Sequence, residues 1–485
     1  MSRSTRREVL GAAAVGAAAL AAPPAWARVL SRRPGVGPGR FRDGVASGEP
    51  TATGISFWSR LDTARPRSGA RLIVARDSGM RRVVATRVVP TGRSINGTLK
   101  TRIGRLKPDS EYFYVWESGT DVSPVGRTRT APDPTSSRPL NIGFSSCQSY
   151  PHGFYGAHAH AAAQNLDLYV FLGDYIYAED RIPTEGDVRE DLFNANDLRS
   201  YRRKYRLYRS DAGLRELHRV HPAMHIWDDH EVENNYTDNR PAPSPLQRTA
   251  AYRAAFEWVP HAVYRQDRFR IYKKMSFGRT ADVFFLDDRQ YRTVDENDRP
   301  VLMLGEQQMQ WLIAGLQASQ ATWKVIAQQV VVAPMNFGNG PSTDSWGGFD
   351  NSRTRLLSAI ERAGIPNVVF LTGDAHTFMV NYLASDANSF KTNPNRRASA
   401  IEYVGGSVTS PGSDRSEATA RATNPWTKQY NGMQHGYAHM ALDGSNLVTE
   451  YRRTDLSRPD GATTTFERFT QPAGANAIQR ESFPV

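Results

Sequence analysis

The sequence predicts an α/β protein preceded by a small all-β, immunoglobulin- or fibronectin-like domain. Three observations carry this. From Phe41 to about Ala131, short alternating runs are separated by turn residues, the pattern of a small β-sandwich. After Pro132-Asp133-Pro134-Thr135-Ser136-Ser137, apolar strand-like runs alternate with helical stretches, the grammar of an α/β domain. Most of those later runs end in clusters of potential metal ligands, and open α/β sheets place ligands at the carboxyl ends of their strands. Composition agrees: of 485 residues 39% are hydrophobic and 23% charged, with 20 Phe, 20 Tyr and 9 Trp, enough for a sizeable core.

The elements follow in order. Arg6-Arg7, an apolar stretch from Gly11 to Ala22 and Ala25-Trp26-Ala27 read as a twin-arginine export signal over 1–27, cleaved after Ala27. The apolar stretch is short for a membrane anchor. A linker over 28–40 leads to the sandwich domain, 41–132. Its strands include Gly54–Ser59, Arg71–Ala75 and the stretch to Val115, where Leu106-x-Pro108-x-x-x-Tyr112 resembles a tyrosine corner. In the α/β domain, 138–455, strands are expected at Leu140–Phe144, Leu168–Leu172, Met224–Trp227, Val283–Leu286, Lys324–Val332 and Val368–Leu371. Helices are expected at Ala157–Gln164, Leu304–Ala318 and Ser352–Ala363. Residues 456–485 read as a polar, turn-rich tail.

Charge excludes less than it first suggests. Lys plus Arg total 61 against 49 acids, a formal +12, but the arginines are scattered. The densest run, Tyr201-Arg202-Arg203-Lys204-Tyr205-Arg206, reads as the solvated face of a helix, so no stable nucleic-acid partner is expected. The single cysteine, Cys147, excludes an intrachain disulfide.

The chemistry lies where the strand-like runs end. Ser145-Ser146-Cys147-Gln148 follows the first, Gly173-Asp174-Tyr175-Ile176-Tyr177 the second, and Asp228-Asp229-His230-Glu231-Val232-Glu233-Asn234-Asn235 the third. Asp287-Asp288-Arg289 and Gly373-Asp374-Ala375-His376 follow later ones. Buried charges are costly unless paired or metal-bound, so converging acids predict a polynuclear metal site. A zincin helix is excluded because Asn234 stands where its second histidine belongs. No G-x-S-x-G elbow, P-loop or G-x-G-x-x-G is present. His158, His160, His218, His221 and His261 read as structural or surface residues; His435 and His439 are ambiguous.

These motifs, in this order, resemble the PhoD-type alkaline phosphatase and phosphodiesterase family. Phe41-Arg42-Asp43-Gly44-Val45-Ala46-Ser47-Gly48-Glu49-Pro50 with Phe57-Trp58-Ser59-Arg60-Leu61 is similar to the opening of its N-terminal domain. Trp227-Asp228-Asp229-His230-Glu231 is the most specific of the catalytic motifs, and Leu286 to Arg292 and Asp344-Ser345-Trp346-Gly347-Gly348 are similar to others. The resemblance implies a metallophosphoesterase-type β-sandwich flanked by helices, carrying one Fe(III) and two Ca(II) ions. It implies metal-ligand positions at Cys147, Asp174, Tyr177, Asp228, Asn235, Asp374 and His376, with cysteinate and tyrosinate on iron. Soft thiolate and phenolate suit iron, and hard carboxylates and amides suit calcium. Arg289 is the candidate for contacting phosphate. His376 or His230 would protonate the leaving oxygen, and Asp374 lies in the same catalytic group.

The implied activity is a secreted, metal-dependent phosphoesterase acting on monoesters, diesters or both by attack of metal-bound hydroxide, releasing phosphate or alcohol. Its partners would be a phosphoester substrate and the twin-arginine export machinery, and the mature chain would be a periplasmic or extracellular monomer. A phospholipase D-like diesterase acting on phospholipids and a non-catalytic exported phosphoester-binding protein are the alternatives. An adhesion protein built on the sandwich and a nucleic-acid binder are more distant ones.

Overall fold

The computed structural model describes residues 35–179, 186–191, 193–261, 267–338, 340–393 and 395–484. The expected export signal and Asn339 lie outside the described residues. Two large sheets form the body. From one edge, the ten-stranded sheet runs Gln479–Ser482, Thr463–Pro472, Asn446–Thr454, Gly436–Leu442, Leu140–Ser145, Leu168–Phe171, Pro222–His225, Val45–Thr51, Gly54–Arg60 and Thr98–Ile103. The seven-stranded sheet runs Lys273–Phe277, Ala281–Phe285, Trp323–Gln328, Val368–Thr372, Ala400–Gly405, Phe378–Leu383 and Thr427–Asn431.

Each large sheet has a parallel centre. Leu140–Ser145, Leu168–Phe171 and Pro222–His225 are parallel neighbours, with Phe144 opposite Val170 and Val170 opposite Met224. Ala281–Phe285, Trp323–Gln328, Val368–Thr372 and Ala400–Gly405 are likewise parallel. These strands are buried along their whole length, apart from the half-buried Asn141. That is why the sequence shows them as continuous apolar runs instead of alternating ones. One contiguous core joins both sheets and contains Phe144, Val170, Phe285, Ile326, Phe370 and Val404.

The N-terminal strands are shared between two structures. A four-stranded sheet of Val83–Gly92, Arg67–Ala75, Glu111–Glu117 and Gly126–Arg129 packs on Val45–Thr51, Gly54–Arg60 and Thr98–Ile103. Phe57, Leu72, Leu99, Tyr114 and Trp116 fill the space between them. The Lys107 N–H donates to Tyr112 Oη at 2.8 Å, closing the tyrosine corner. The sandwich is fused to the larger sheet, because Gly48 pairs in parallel with Ala223. At the other end, Thr463–Pro472 and Gln479–Ser482, within the stretch read as a tail, extend the same sheet.

Helix starts are chemically marked. Asp197 accepts the Ser200 N–H in a capping box before helix Leu198–Tyr208. Ser244 accepts the Gln247 N–H before Pro245–Trp258, with proline at the first helical position. The basic run in Leu198–Tyr208 is not simply a solvated face: Tyr201, Lys204 and Tyr205 are buried, and Lys204 pairs with Asp191 at 2.7 Å. A lysine at 3.6-residue spacing between two core tyrosines turns inward with them. Strands Trp323–Gln328 and Pro222–His225 stop earlier than the apolar runs Lys324–Val332 and Met224–Trp227. The extra residues form the turns that carry the site.

Candidate active site

The parallel strands of both sheets end on one side, and their next residues converge. Cys147 follows Leu140–Ser145, Asp174 follows Leu168–Phe171, Asp228 and Asp229 follow Pro222–His225, and Asp374 follows Val368–Thr372. Backbone bonds lash these ends together: the Cys147 N–H donates to Gly173 O at 3.2 Å and the Gln148 N–H to Asp174 O at 3.2 Å. Close approach requires glycine. A Cβ on Gly173, whose φ is +113°, would lie 2.4 Å from Asp228 Cβ, and one on Gly373 would lie 2.8 Å from Ser146 Cβ.

Five of the seven expected ligand residues share a backbone signature. Cys147 (φ 58°), Asp174 (53°), Asn235 (55°), Asp374 (60°) and His376 (51°) all lie in the left-handed region. Each such non-glycine residue costs on the order of 1 kcal/mol. The cost is tolerated here because the turns must aim five side chains at one volume.

One group of donors is Cys147, Asp174 and His376, with ligand atoms within 4.8 Å of one another. Tyr177 joins it: its Oη lies 3.0 Å from Asp174 Oδ2 and 3.4 Å from His376 Nε2. Pro411 O lies 2.8 Å from His376 Nδ1, so that nitrogen carries the proton and donates it. Nε2 is thereby left with a free lone pair facing the cluster. A second group is Asp228, Asp229 and Asp374, and a third, Asp174, Asp229 and His230, links the two. Asn235 donates its N–H to Asp229 Oδ2 at 2.7 Å. Its side-chain amide, once its oxygen and nitrogen are exchanged, donates to Asp229 Oδ2 at 3.0 Å and Asp344 Oδ2 at 3.3 Å.

Arg289 is fully buried at the centre of the acids. Its Nε donates to Asp228 Oδ1, and its Nη1 and Nη2 grip Asp344 at 2.7 and 3.0 Å. Nη2 also lies 3.5 Å from Asp229 and 3.6 Å from Asp374. The guanidinium expected at the phosphate is thus placed beneath the carboxylates, compensating their charge. Arg292 reinforces Asp344 at 2.7 Å. His230 stacks on Tyr177, ring centroids 4.3 Å apart, and its Nδ1 meets Glu179 Oε2 at 2.9 Å.

The electrostatics are those of a site built for cations. Burial raises the Cys147 thiol and the Tyr177 phenol well above their ordinary values. Burial, then the neighbouring acids, raises Asp174 and Asp374 well above the usual carboxylate range, and burial lifts Asp228 to about 6. Burial disfavours the His230 cation, yet Asp174, Asp229 and Glu179 hold its pKa well above the imidazole value. Burial brings His376 down to about 4, which keeps it neutral. Asp174 Oδ1, Asp228 Oδ2 and Asp229 Oδ1 are buried without any hydrogen-bond partner. Four aspartates, Asp228, Asp229, Asp344 and Asp374, surround the Arg289 guanidinium. Buried carboxylate oxygens left without a donor, such as Asp174 Oδ1 and Asp228 Oδ2, fit metal cations.

Beside Tyr177, His230 and His376 opens a cavity of about 180 Å³, walled by Pro151, Tyr208 and Pro411.

Sequence reasoning missed several contributors. Asp229 sits beside Asp228 in the tandem pair, which was the available signal. Glu231 accepts the N–H groups of Asp174 (3.1 Å), Tyr175 (2.6 Å) and Asp228 (2.9 Å), tying two strand ends together. Asp344 lies in a quoted motif but carried no expected role. Ser410 Oγ stands 2.6 Å from Tyr177 Oη and had no sequence signal, since the strand before it, Ala400–Gly405, was not foreseen. Of the other histidines, His158, His218, His221 and His261 are buried away from the donor groups, and His225 stacks on Phe171 and on His218. His435 Nε2 lies 3.1 Å from Ser410 O, behind the site.

A family model described as PhoD-like phosphatase matches residues 142–451, and one described as PhoD-like phosphatase, N-terminal domain, matches 27–132. Alkaline phosphatase D of Bacillus subtilis (strain 168) is 32% identical over 486 residues, covering 91% of this chain and 82% of that protein. A solved structure of PhoD superposes with a TM-score of 0.85 at 31% identity, covering 92% of each chain. A purple acid phosphatase from yellow lupin (Lupinus luteus) seeds superposes with a TM-score of 0.57 at 12% identity, covering 88% of this chain and 73% of that one. This last likeness is one of fold.

Proposed function

The chain belongs to the PhoD-like phosphatase family and is a phosphoric ester hydrolase, and on that premise we propose that it is an exported, metal-dependent phosphoesterase. The observation that carries the metal dependence is the pair of unpartnered buried oxygens, Asp174 Oδ1 and Asp228 Oδ2, within the linked donor groups of Cys147, Asp174 and His376 and of Asp228, Asp229 and Asp374. The thiol, phenol and imidazole suit Fe(III), with Asp174 shared, and Asp228, Asp229, Asp374 and Asn235 suit Ca(II). Bound there, the metals would supply Lewis-acid neutralisation of phosphoryl oxygens and an acidified water as nucleophile.

The chain's own residues do the rest. Arg289 fixes Asp228 and Asp344 from beneath and offsets the charge of Asp374 beside them. His230, held by Glu179 and by Tyr177 stacking, presents its ring to the cavity and is placed to give a proton to the leaving oxygen. The walls of Pro151, Tyr208 and Pro411 seat the ester group and exclude water from one side. A cavity for an organic group beside the phosphate position favours diesters alongside monoesters. Export by the twin-arginine route, to the periplasm or beyond, rests on Arg6-Arg7 and the stretch to Ala27.

The test is hydrolysis of p-nitrophenyl phosphate and bis-p-nitrophenyl phosphate, with and without a chelator. The reading expects turnover of both, abolished by chelation and restored by calcium. Turnover indifferent to chelation overturns the metal dependence.

A further inference from the structure

The loop after strand Ala400–Gly405 clasps three of the proposed ligands at once. Thr409 N–H and Ser410 N–H donate to Cys147 O at 3.3 and 3.2 Å, and Ser410 Oγ lies 2.9 Å from the same carbonyl. Pro411 O lies 2.8 Å from His376 Nδ1. Ser410 Oγ lies 2.6 Å from Tyr177 Oη, the shortest contact the phenol makes. The loop is itself anchored. Ser407 Oγ donates to Ser410 O at 2.6 Å, Thr409 Oγ1 to Ser149 O at 2.7 Å, and the Ser149 N–H to Ser410 Oγ at 3.3 Å. Ser410 is 1% exposed, so water does not compete for its hydroxyl.

We propose that Ser410 is a positioning residue for the metal centre, whose hydroxyl hydrogen-bonds the Tyr177 oxygen and sets its distance and direction toward the metal. This rests on the reading of Tyr177 as a ligand. The hydroxyl rotor has two acceptors, Cys147 O and Tyr177 Oη. A phenol oxygen that has released its proton to solvent on binding a metal can only accept, so the rotor then points to Tyr177. Partners that hydrogen-bond a ligand from outside the coordination shell hold its orientation and tune how strongly it donates, and their loss typically costs about 10–100-fold in affinity or activity. A hydrogen bond withdraws electron density from the phenolate, so its removal shifts a phenolate-to-iron absorption band to longer wavelength.

The experiment compares purified wild type, Ser410→Ala and Ser410→Thr for the visible absorption band, metal retained after a timed chelator challenge, turnover and thermal midpoint. Ser410→Ala is expected to keep its thermal midpoint within a few degrees, to lose metal roughly tenfold faster and to show the band at longer wavelength. Ser410→Thr keeps the hydroxyl and is expected to restore all of these. Ser410→Ala with the band and the metal retention of wild type overturns the proposal. A wild type that holds metal but shows no band counts against iron at Tyr177, and metal retention still decides the role of Ser410.

Discussion

Replacing Arg289 by Met removes the cation on which the acid cluster is assembled. Arg289 is fully buried and makes three charge-assisted bonds, to Asp228 and twice to Asp344, with Asp229 and Asp374 close by. Removing one partner of a buried ion pair costs about 3–5 kcal/mol, because the remaining charge is left buried. Four acids share this cation, so the cost in the metal-free chain lies at the upper end, about 5 kcal/mol. Arg289→Lys keeps the charge but not the fork, and loses about half of that. The loss depends on what else neutralises the acids, so calcium stabilises Arg289→Met more than it stabilises wild type. The assay is thermal and urea unfolding followed by tryptophan fluorescence, after chelation and again with millimolar calcium. A chelated Arg289→Met within about 1 kcal/mol of wild type, far below the buried-pair cost, refutes the charge accounting. An equal calcium effect on the two proteins refutes the claim that the acids bind the cation.

Other outcomes follow from the same geometry. Gly173→Ala places a methyl 2.4 Å from Asp228 Cβ at φ +113°, and should displace Asp228 and cut turnover at least tenfold in steady-state assays. Burial pushes His158 down to about 3 and holds His218, His225 and His261 well below the imidazole value. Their folded pKa values lie below the unfolded ones, so their share of stability is complete above about pH 6.5 and is lost as pH falls, by up to ~1.4 kcal/mol per unit per histidine. Urea midpoints should fall steeply from pH 6.5 to 4.5; a flat profile contradicts this. Tyr112→Phe removes the corner bond to Lys107 and should cost about 1 kcal/mol in thermal unfolding, with turnover at 25 °C unchanged.

The legible part of the fold was the parallel centre of each sheet. Its strands are buried on both faces, so runs such as Leu168–Phe171 and Val368–Thr372 stand out as apolar, and the acids after them mark one edge of the molecule. Less legible were strands whose pattern is half polar. Thr463–Pro472, with one face partly exposed, reads as loop until Asn446–Thr454 supplies its partner. The fusion of the sandwich to the larger sheet depends on the pairing of Gly48 with Ala223, a contact 175 positions apart that no local pattern encodes. At the site, residues with specific chemistry were visible and those acting through geometry were not. Cys147, Asp174, Tyr177, Asp374 and His376 converge as the motifs suggested. Ser410 and Glu179 act by holding others and carry no mark in sequence, and Glu231 stood in the Trp227–Glu231 motif without a role until its bonds to the N–H groups of Asp174, Tyr175 and Asp228 were seen. Arg289 was visible as a residue, but its place under the acids depends on Asp344, 55 positions downstream.

Elemental analysis of the exported protein, wild type beside Cys147→Ser, tests the central claim most directly. The account predicts iron near one per chain together with calcium in wild type, and loss of the iron with most of the turnover in Cys147→Ser. Wild-type protein that hydrolyses phosphoesters at full rate without bound metal, or Cys147→Ser with full iron and full turnover, contradicts it.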